Sequence, residues 1–539
     1  MTINRSYTCF YIITILIFNI ITIVNGQYVT CDRYIRPLEN KNDLEYNSEC
    51  GFTLESPCIS ISKTIQNCNA NYPNLTYNIH FRLEEGVYIL TDDDLFPISN
   101  NIYLEGQLSV IFDFSNIHNR YWIYGRRYGT LSITGITFTN ITFGLFHAGT
   151  YESQSLTIQD CQFINNNIIN QLISLSDINH SHQTSPTVQF KNVTFQNNKG
   201  DSHTLGTFPL IYFNNQRISA SNLNFQNNYG FETLMSVENG YMVIDNSEFI
   251  NNTISTNSLI AIINEDDTEG SITNCKFIGN GCIYSNSSEI NQTTVSVVKI
   301  YKSNLKIDLS QFINNSIPTI IVSEQNNNIT IFTSTFIGNI VPLILSTFND
   351  TLIDRSYSTV SVSNSNFNNN TQSLSGEYGI FYLHHSSLNI TQSKFIWNKG
   401  DMININESII VLNQLDLMNN QDFVLVNCSG SEMTILNVSA NDNDYFNPNS
   451  NGMVCVGCSI IQTDENVSRV CYGYSPYYTS PKPTESSGLT NGQIAGIVIG
   501  IILIVSLIIG GIIIYKKRNR RSYPYQYKDP IYTPLISMK

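Results

Sequence analysis

The chain has 539 residues, of which 42% are apolar, only 13% are charged and 70 are Asn. Disorder over the whole length needs few apolar residues and high charge, so it is excluded as the general state. The balance of 28 Lys and Arg against 42 Asp and Glu, net −14, speaks against a nucleic-acid binder, and 8 His leave little material for His-based metal sites.

In chain order, a short basic lead ending at Arg5 precedes an apolar run over 7–24, and Val24-Asn25-Gly26 supplies a small-residue cleavage site before Gln27. Residues 1–26 therefore read as a secretory signal peptide. Residues 27–78 form a Cys-rich N-terminal cap containing Cys31, Cys50, Cys58 and Cys68. A second Cys group, Cys428, Cys455, Cys458 and Cys471, falls around a C-terminal cap over 446–471. In an oxidising compartment, two such groups predict disulfide-stapled ends. Cys455-Val-Gly-Cys458 also has the spacing of a redox or zinc pair, but no second such pair or His lies nearby, so a structural role is expected. Eleven Cys remain after cleavage, so at least one is left without an intrachain partner.

Residues 79–445 repeat one unit. Anchoring on Phe gives Phe138, Phe163, Phe195, Phe225, Phe249, Phe277, Phe312, Phe336, Phe367 and Phe395, continued by Leu417 and Ala440, at spacings of 22 to 35. Aliphatic residues recur seven and five positions before the anchor, as in Leu131 and Ile133 or Val360 and Val362. An aliphatic or small residue recurs two before it, and Asn three after it, from Asn166 to Asn443, with Ile141 the exception. Alternation at period two predicts two short strands separated by a bend. A further β-rich run follows each unit, such as Pro209–Phe213 or Leu259–Ile263. Two or three strands per coil predict an all-β fold, a β-solenoid whose turns bury their apolar stripes only by stacking. The recurring Asn is expected to supply a left-handed corner and a side-chain ladder. The alternative is a leucine-rich-repeat solenoid, because Φ-x-x-Φ-x-F-x-x-N resembles that repeat; it predicts a helical or irregular convex flank.

Residues 472–493, rich in Pro, Ser and Thr, read as an extended stalk. Residues 494–515 carry no charge, enough to span ~30 Å as a transmembrane helix. Lys516, Lys517, Arg518, Arg520 and Arg521 follow and place 516–539 in the cytoplasm, giving a single-pass type I plasma-membrane protein, with an endolysosomal membrane as the alternative address. Gly492, Gly496 and Gly500 offer a face for homodimer formation. Tyr532-Thr-Pro-Leu535 resembles the signal read by clathrin adaptors, so Tyr532 and Leu535 are candidate sorting residues. The exterior holds sixteen Asn-x-Ser/Thr acceptors for N-glycosylation: Asn74, Asn140, Asn179, Asn192, Asn251, Asn286, Asn291, Asn314, Asn328, Asn349, Asn369, Asn389, Asn406, Asn427, Asn437 and Asn466.

The repeat resembles right-handed parallel β-helices of the pectin-lyase type. Phe163-Ile-Asn-Asn166 and Phe336-Ile-Gly-Asn339 resemble the FxxN repeats of chlamydial polymorphic membrane adhesins, although the GGA[ILV] partner motif of that family is absent. An Asn- and Ile-rich ectodomain on one span looks like surface proteins of social amoebae. Pro57 to Cys68, followed by Leu83-Glu-Glu-Gly86-Val-Tyr88, resembles the entry to many β-helices, which implies a capping helix, a first strand and a turn. The pectin-lyase resemblance raises the prospect of a polysaccharide lyase or hydrolase. Acid–base cleavage needs two carboxylates held close, and the polygalacturonase pattern adds a Gly-His-Gly that is missing here. Asp92-Asp93-Asp94, Asp266-Asp267 and His384-His385 are the local candidates, and Arg is sparse, Arg217 and Arg355 being the two between Leu131 and Ala440. Asp266-Asp267 and the His pair read more simply as solvated turn residues. No phosphate loop, zinc motif or nucleophile elbow occurs, so neither a cofactor nor a metal is expected. The sequence predicts a glycosylated surface protein acting in recognition or adhesion toward an extracellular protein or glycan. Carbohydrate cleavage, and an endolysosomal cargo or sorting receptor, are the alternatives.

Overall fold

In a computed structural model of the chain, the described residues run from Val29 to Tyr472. The longer interruptions fall at 38–49, 72–76, 177–186, 201–207, 284–294, 349–357, 372–378, 442–452 and 463–470. They lie within the first of two units, Met1–Tyr474; the second is Ser475–Lys539. The expected signal peptide, the stalk beyond Tyr472, the membrane span with Gly492, Gly496 and Gly500, and the sorting signal lie outside the described residues. Among the described residues no helix is long and apolar enough to cross a membrane.

The architecture is all-β: a right-handed parallel β-helix of about 11 turns. Every strand pairing among the described residues is parallel, and the register follows the repeat. Phe138, Phe163 and Phe195 face one another on successive coils, and so on through Phe395, Leu417 and Ala440. The aliphatic columns before them are equally continuous, from Leu131 and Ile133 to Met433 and Ile435. Gly270 stands in one of them because Ile262 Cδ1 lies 2.5 Å from where its Cβ would be.

Ten phenyl rings form one buried stack, with centroids 4.6–5.0 Å apart and planes within 11° of parallel. Parallel strands repeat at ~4.8 Å, so identical rings on successive coils meet at contact distance. Two further positions precede them in the column, Tyr88 and Phe112. The sequence alignment does not reach these, because no Asn stands three residues after either.

Beside the rings runs the Asn ladder. Asn166, Asn198, Asn228, Asn252, Asn280, Asn315, Asn339, Asn370, Asn398 and Asn420 are each at most 1% exposed. Asn280 shows the pattern. Its Nδ2 donates to Asn315 Oδ1 at 2.9 Å and to the Phe249 carbonyl at 2.8 Å, while its Oδ1 accepts from Asn252 N and Nδ2 at 3.0 and 3.1 Å. Where the ladder begins, the Ile141 backbone N–H donates to Asn166 Oδ1, so the exceptional Ile needs no amide of its own.

One expectation is corrected. The left-handed corner falls on the residue before the ladder Asn, at Asn165, Asn197, Asn227, Asn251, Asn314, Asn369 and Asn419, with Gly279 and Gly338 in the same column. A second left-handed corner, three residues before the ring, makes the bend between the two short strands, at Asp160, Asn192, Asn222, Asn246, Asn274 and Asn364 among others. Corner and ladder are therefore separate jobs for adjacent residues. A Ser column two before the ring closes the account: Ser310, Ser334 and Ser365 each donate to the carbonyl two residues back, and each accepts from the backbone N–H of the preceding coil. Cys161 and Cys275 occupy this same column, and each thiol donates to the carbonyl two residues back. Burial pushes both thiols up to about 12, so they act as structural stand-ins for Ser rather than nucleophiles.

Helix Ile61–Asn71 is the one α-helix among the described residues. It is tied to the first strand, Val29–Ile35, by the Cys31–Cys68 disulfide, and Cys50–Cys58 closes the adjoining loop. Tyr88 Oη then donates to the Ile35 carbonyl at 2.7 Å. At the other end Cys458 pairs with Cys428 and not with Cys455, which removes the redox or zinc reading of that spacing. The leucine-rich-repeat alternative fails because strands fill all three sides of the coil.

Candidate interaction surface

Among the described residues the sequence-chosen candidates do not assemble into a catalytic centre. Asp94 caps a turn, accepting from Thr91 N at 3.0 Å, Thr91 Oγ1 at 3.2 Å and Ser60 Oγ at 3.3 Å. The rings of His384 and His385 meet at 4.2 Å, and His385 Nε2 lies 3.2 Å from Glu407 Oε2 on the next coil. Asp266 and Asp267 fall in strand Thr253–Thr273, with side chains outside the described residues, as is Arg355; Arg217 is exposed. No group of three or more His, Cys, Asp or Glu able to hold a metal occurs among the described residues.

A different cluster lies on the third strand of the coils. One outward column runs Tyr212, Ser236, Ala261, Lys299 and Val322, and its neighbour runs Asn214, Glu238, Ile263, Tyr301 and Glu324. Long side chains bond diagonally between the columns: Tyr212 Oη donates to Glu238 Oε2 at 2.7 Å, and Lys299 Nζ lies 3.2 Å from Glu324 Oε1. Ser236 and Ala261, the small residues between Tyr212 and Lys299, are buried beneath them. Earlier on the same strand as Glu238, half-buried Glu232 accepts from Asn257 Nδ2 at 3.3 Å. Desolvation raises the Glu232 carboxyl above its ordinary range; the Asn257 bond and Lys299 pull it down, and Glu238 pushes it further up. Tyr212 is raised by burial and then by Glu238. A perturbed carboxyl with named charge partners marks a functional candidate. The sequence could not reveal it, because its members come from coils that variable loops separate.

The ten described glycan acceptors lie elsewhere. Asn140, Asn251, Asn314 and Asn369 sit in the corner before the ladder, and Asn192 and Asn437 in the other corner. Asn328 and Asn389 are exposed on the first strand of the coil, while Asn406 and Asn427 are on the third strand of the last coils. Between Phe208 and Glu324 no described acceptor falls on the third strand. Asn74, Asn179, Asn286, Asn291, Asn349 and Asn466 lie outside the described residues.

No protein-family model matches the chain, and no curated protein matches it. Among solved structures it is similar to the Streptococcus pneumoniae surface protein and adhesin PfbA, at 12% identity over 75% of this chain and 95% of that one, TM-score 0.31. It is also similar to pectate lyase Pel9A, at 14% identity over 79% and 82%, TM-score 0.31. The Agl-KA catalytic domain follows at 12% over 81% and 69%, TM-score 0.29. At such scores nothing transfers from these proteins to this chain.

Proposed function

We propose that this chain is a glycosylated, single-pass type I cell-surface protein that works in recognition or adhesion through its third-strand face, with an extracellular protein or glycan as ligand. The carrying observation is the convergence of Tyr212, Glu232, Glu238, Lys299 and Glu324 on a stretch of sheet without described glycan acceptors. Carboxylates, a lysine and tyrosines on a rigid sheet supply acceptors, a cation and flat apolar rings in fixed register, the equipment of a recognition surface. The test displays the full-length protein on cells and measures attachment to arrayed glycans and matrix proteins. Lys299→Glu combined with Glu238→Lys is expected to abolish attachment at unchanged surface level; retained attachment sinks the proposal.

A second reading, carbohydrate cleavage, draws on Glu232 alone: a carboxyl raised by burial beside a second carboxylate has the makings of a general acid. Turnover of a polysaccharide by the full chain, lost in Glu232→Gln, would favour it over adhesion. The sorting role and adaptor binding proposed for Tyr532 and Leu535 are checked by Tyr532→Ala, for which the surface level should rise. The proposed homodimer is checked by cross-linking a Gly496→Leu variant.

A further inference from the structure

Thr233, Ser258, Ser296 and Thr319 occupy one position on four successive coils and pair directly in register. They are 1%, 0%, 0% and 0% exposed. None of the four hydroxyls has a hydrogen-bond partner among the described residues. The contrast is with the Ser column two before the rings, where each hydroxyl of Ser310, Ser334, Ser365 and Ser393 bonds its own strand. A buried hydroxyl left alone is costly, and four in a row need a common partner.

Spacing identifies that partner. Register-paired hydroxyls can turn to bond directly, as Ser155 Oγ does to Thr130 Oγ1 at 2.8 Å, but none of these four does, and a repeat of ~4.8 Å then suits one small molecule seated ~2.8 Å from both neighbours. It must both donate and accept, since every hydroxyl along the column does. A cation would exchange its hydration for neutral hydroxyls alone and is disfavoured. At one end the column is bounded in register by Leu343, which carries no polar side chain.

We propose that these four hydroxyls bind a file of water molecules, one in each gap between neighbouring coils. Hydroxyl and water then alternate along the solenoid axis, each donating to the next, a chain whose members polarise one another. Buried waters are a normal part of structure where polar groups line the space.

Magnetic relaxation dispersion on the full-length protein counts long-lived internal waters. The combined variant Thr233→Val, Ser258→Ala, Ser296→Ala and Thr319→Val is expected to hold about three fewer, one for each lost gap. The single variant Ser258→Ala keeps the fold within reach if the combined one fails to fold. It should lose internal water and melt below the wild type, because it interrupts the chain and strands its neighbours. An unchanged water count, or a Ser258→Ala protein that melts at or above the wild type, overturns the proposal.

Discussion

An interior ladder amide such as Asn280 uses its full hydrogen-bonding capacity, and that sets the cost of losing one. Asn280→Ala strands the Asn252 N–H and amide, the Phe249 carbonyl and part of Asn315 Oδ1, all buried. The expected loss is about 3–5 kcal/mol, read from urea unfolding. Trp397 lies at the other extreme. It holds φ 57° in the corner column otherwise filled by Asn and Gly, and is 54% exposed. A bulky residue in that conformation is strained by ~1–2 kcal/mol, so Trp397→Asn should stabilise the protein by about 1 kcal/mol in the same assay. At this scale the ladder was legible because Asn holds one offset across variable spacing. The division of labour between corner and ladder was not, since both jobs fall to Asn and the pair Asn-Asn recurs, as at Asn227 and Asn228.

The first two strands of each coil could be read in advance, because two residues of bend separate them and the apolar period survives. The third strand follows loops of changing length, so its phase is lost to the sequence, and with it Glu232, Glu238 and Lys299. That sheet has a pH signature. A carboxyl whose folded value is raised binds its proton more tightly when folded. The folded state is therefore favoured below the ordinary value of 4.5, and this contribution is lost as pH rises through the raised value. Glu232→Gln should leave the melting temperature nearly unchanged at acid pH and raise it at neutral pH. A difference between the two proteins that does not vary with pH would show the carboxyl to be unperturbed.

Over the whole molecule, stability is a sum over neighbours: each coil touches the coil before and the coil after. The two ends are where that sum stops, and the chain treats them differently from the middle. Helix Ile61–Asn71 and two disulfides sit at the first coil, and Cys428–Cys458 at the last. Sheet edges left uncovered are templates for another chain, and here the bare edge would match the next copy's in pitch, ring and amide. The disulfide-tied ends are expected to keep those edges from pairing with another copy. Replacing Cys31, Cys50, Cys58, Cys68, Cys428 and Cys458 by Ser, which uncovers both ends, should let copies join end to end, seen as concentration-dependent sedimentation with unchanged strand content. In that light the disulfides do more than harden the protein: they are expected to keep each molecule finite.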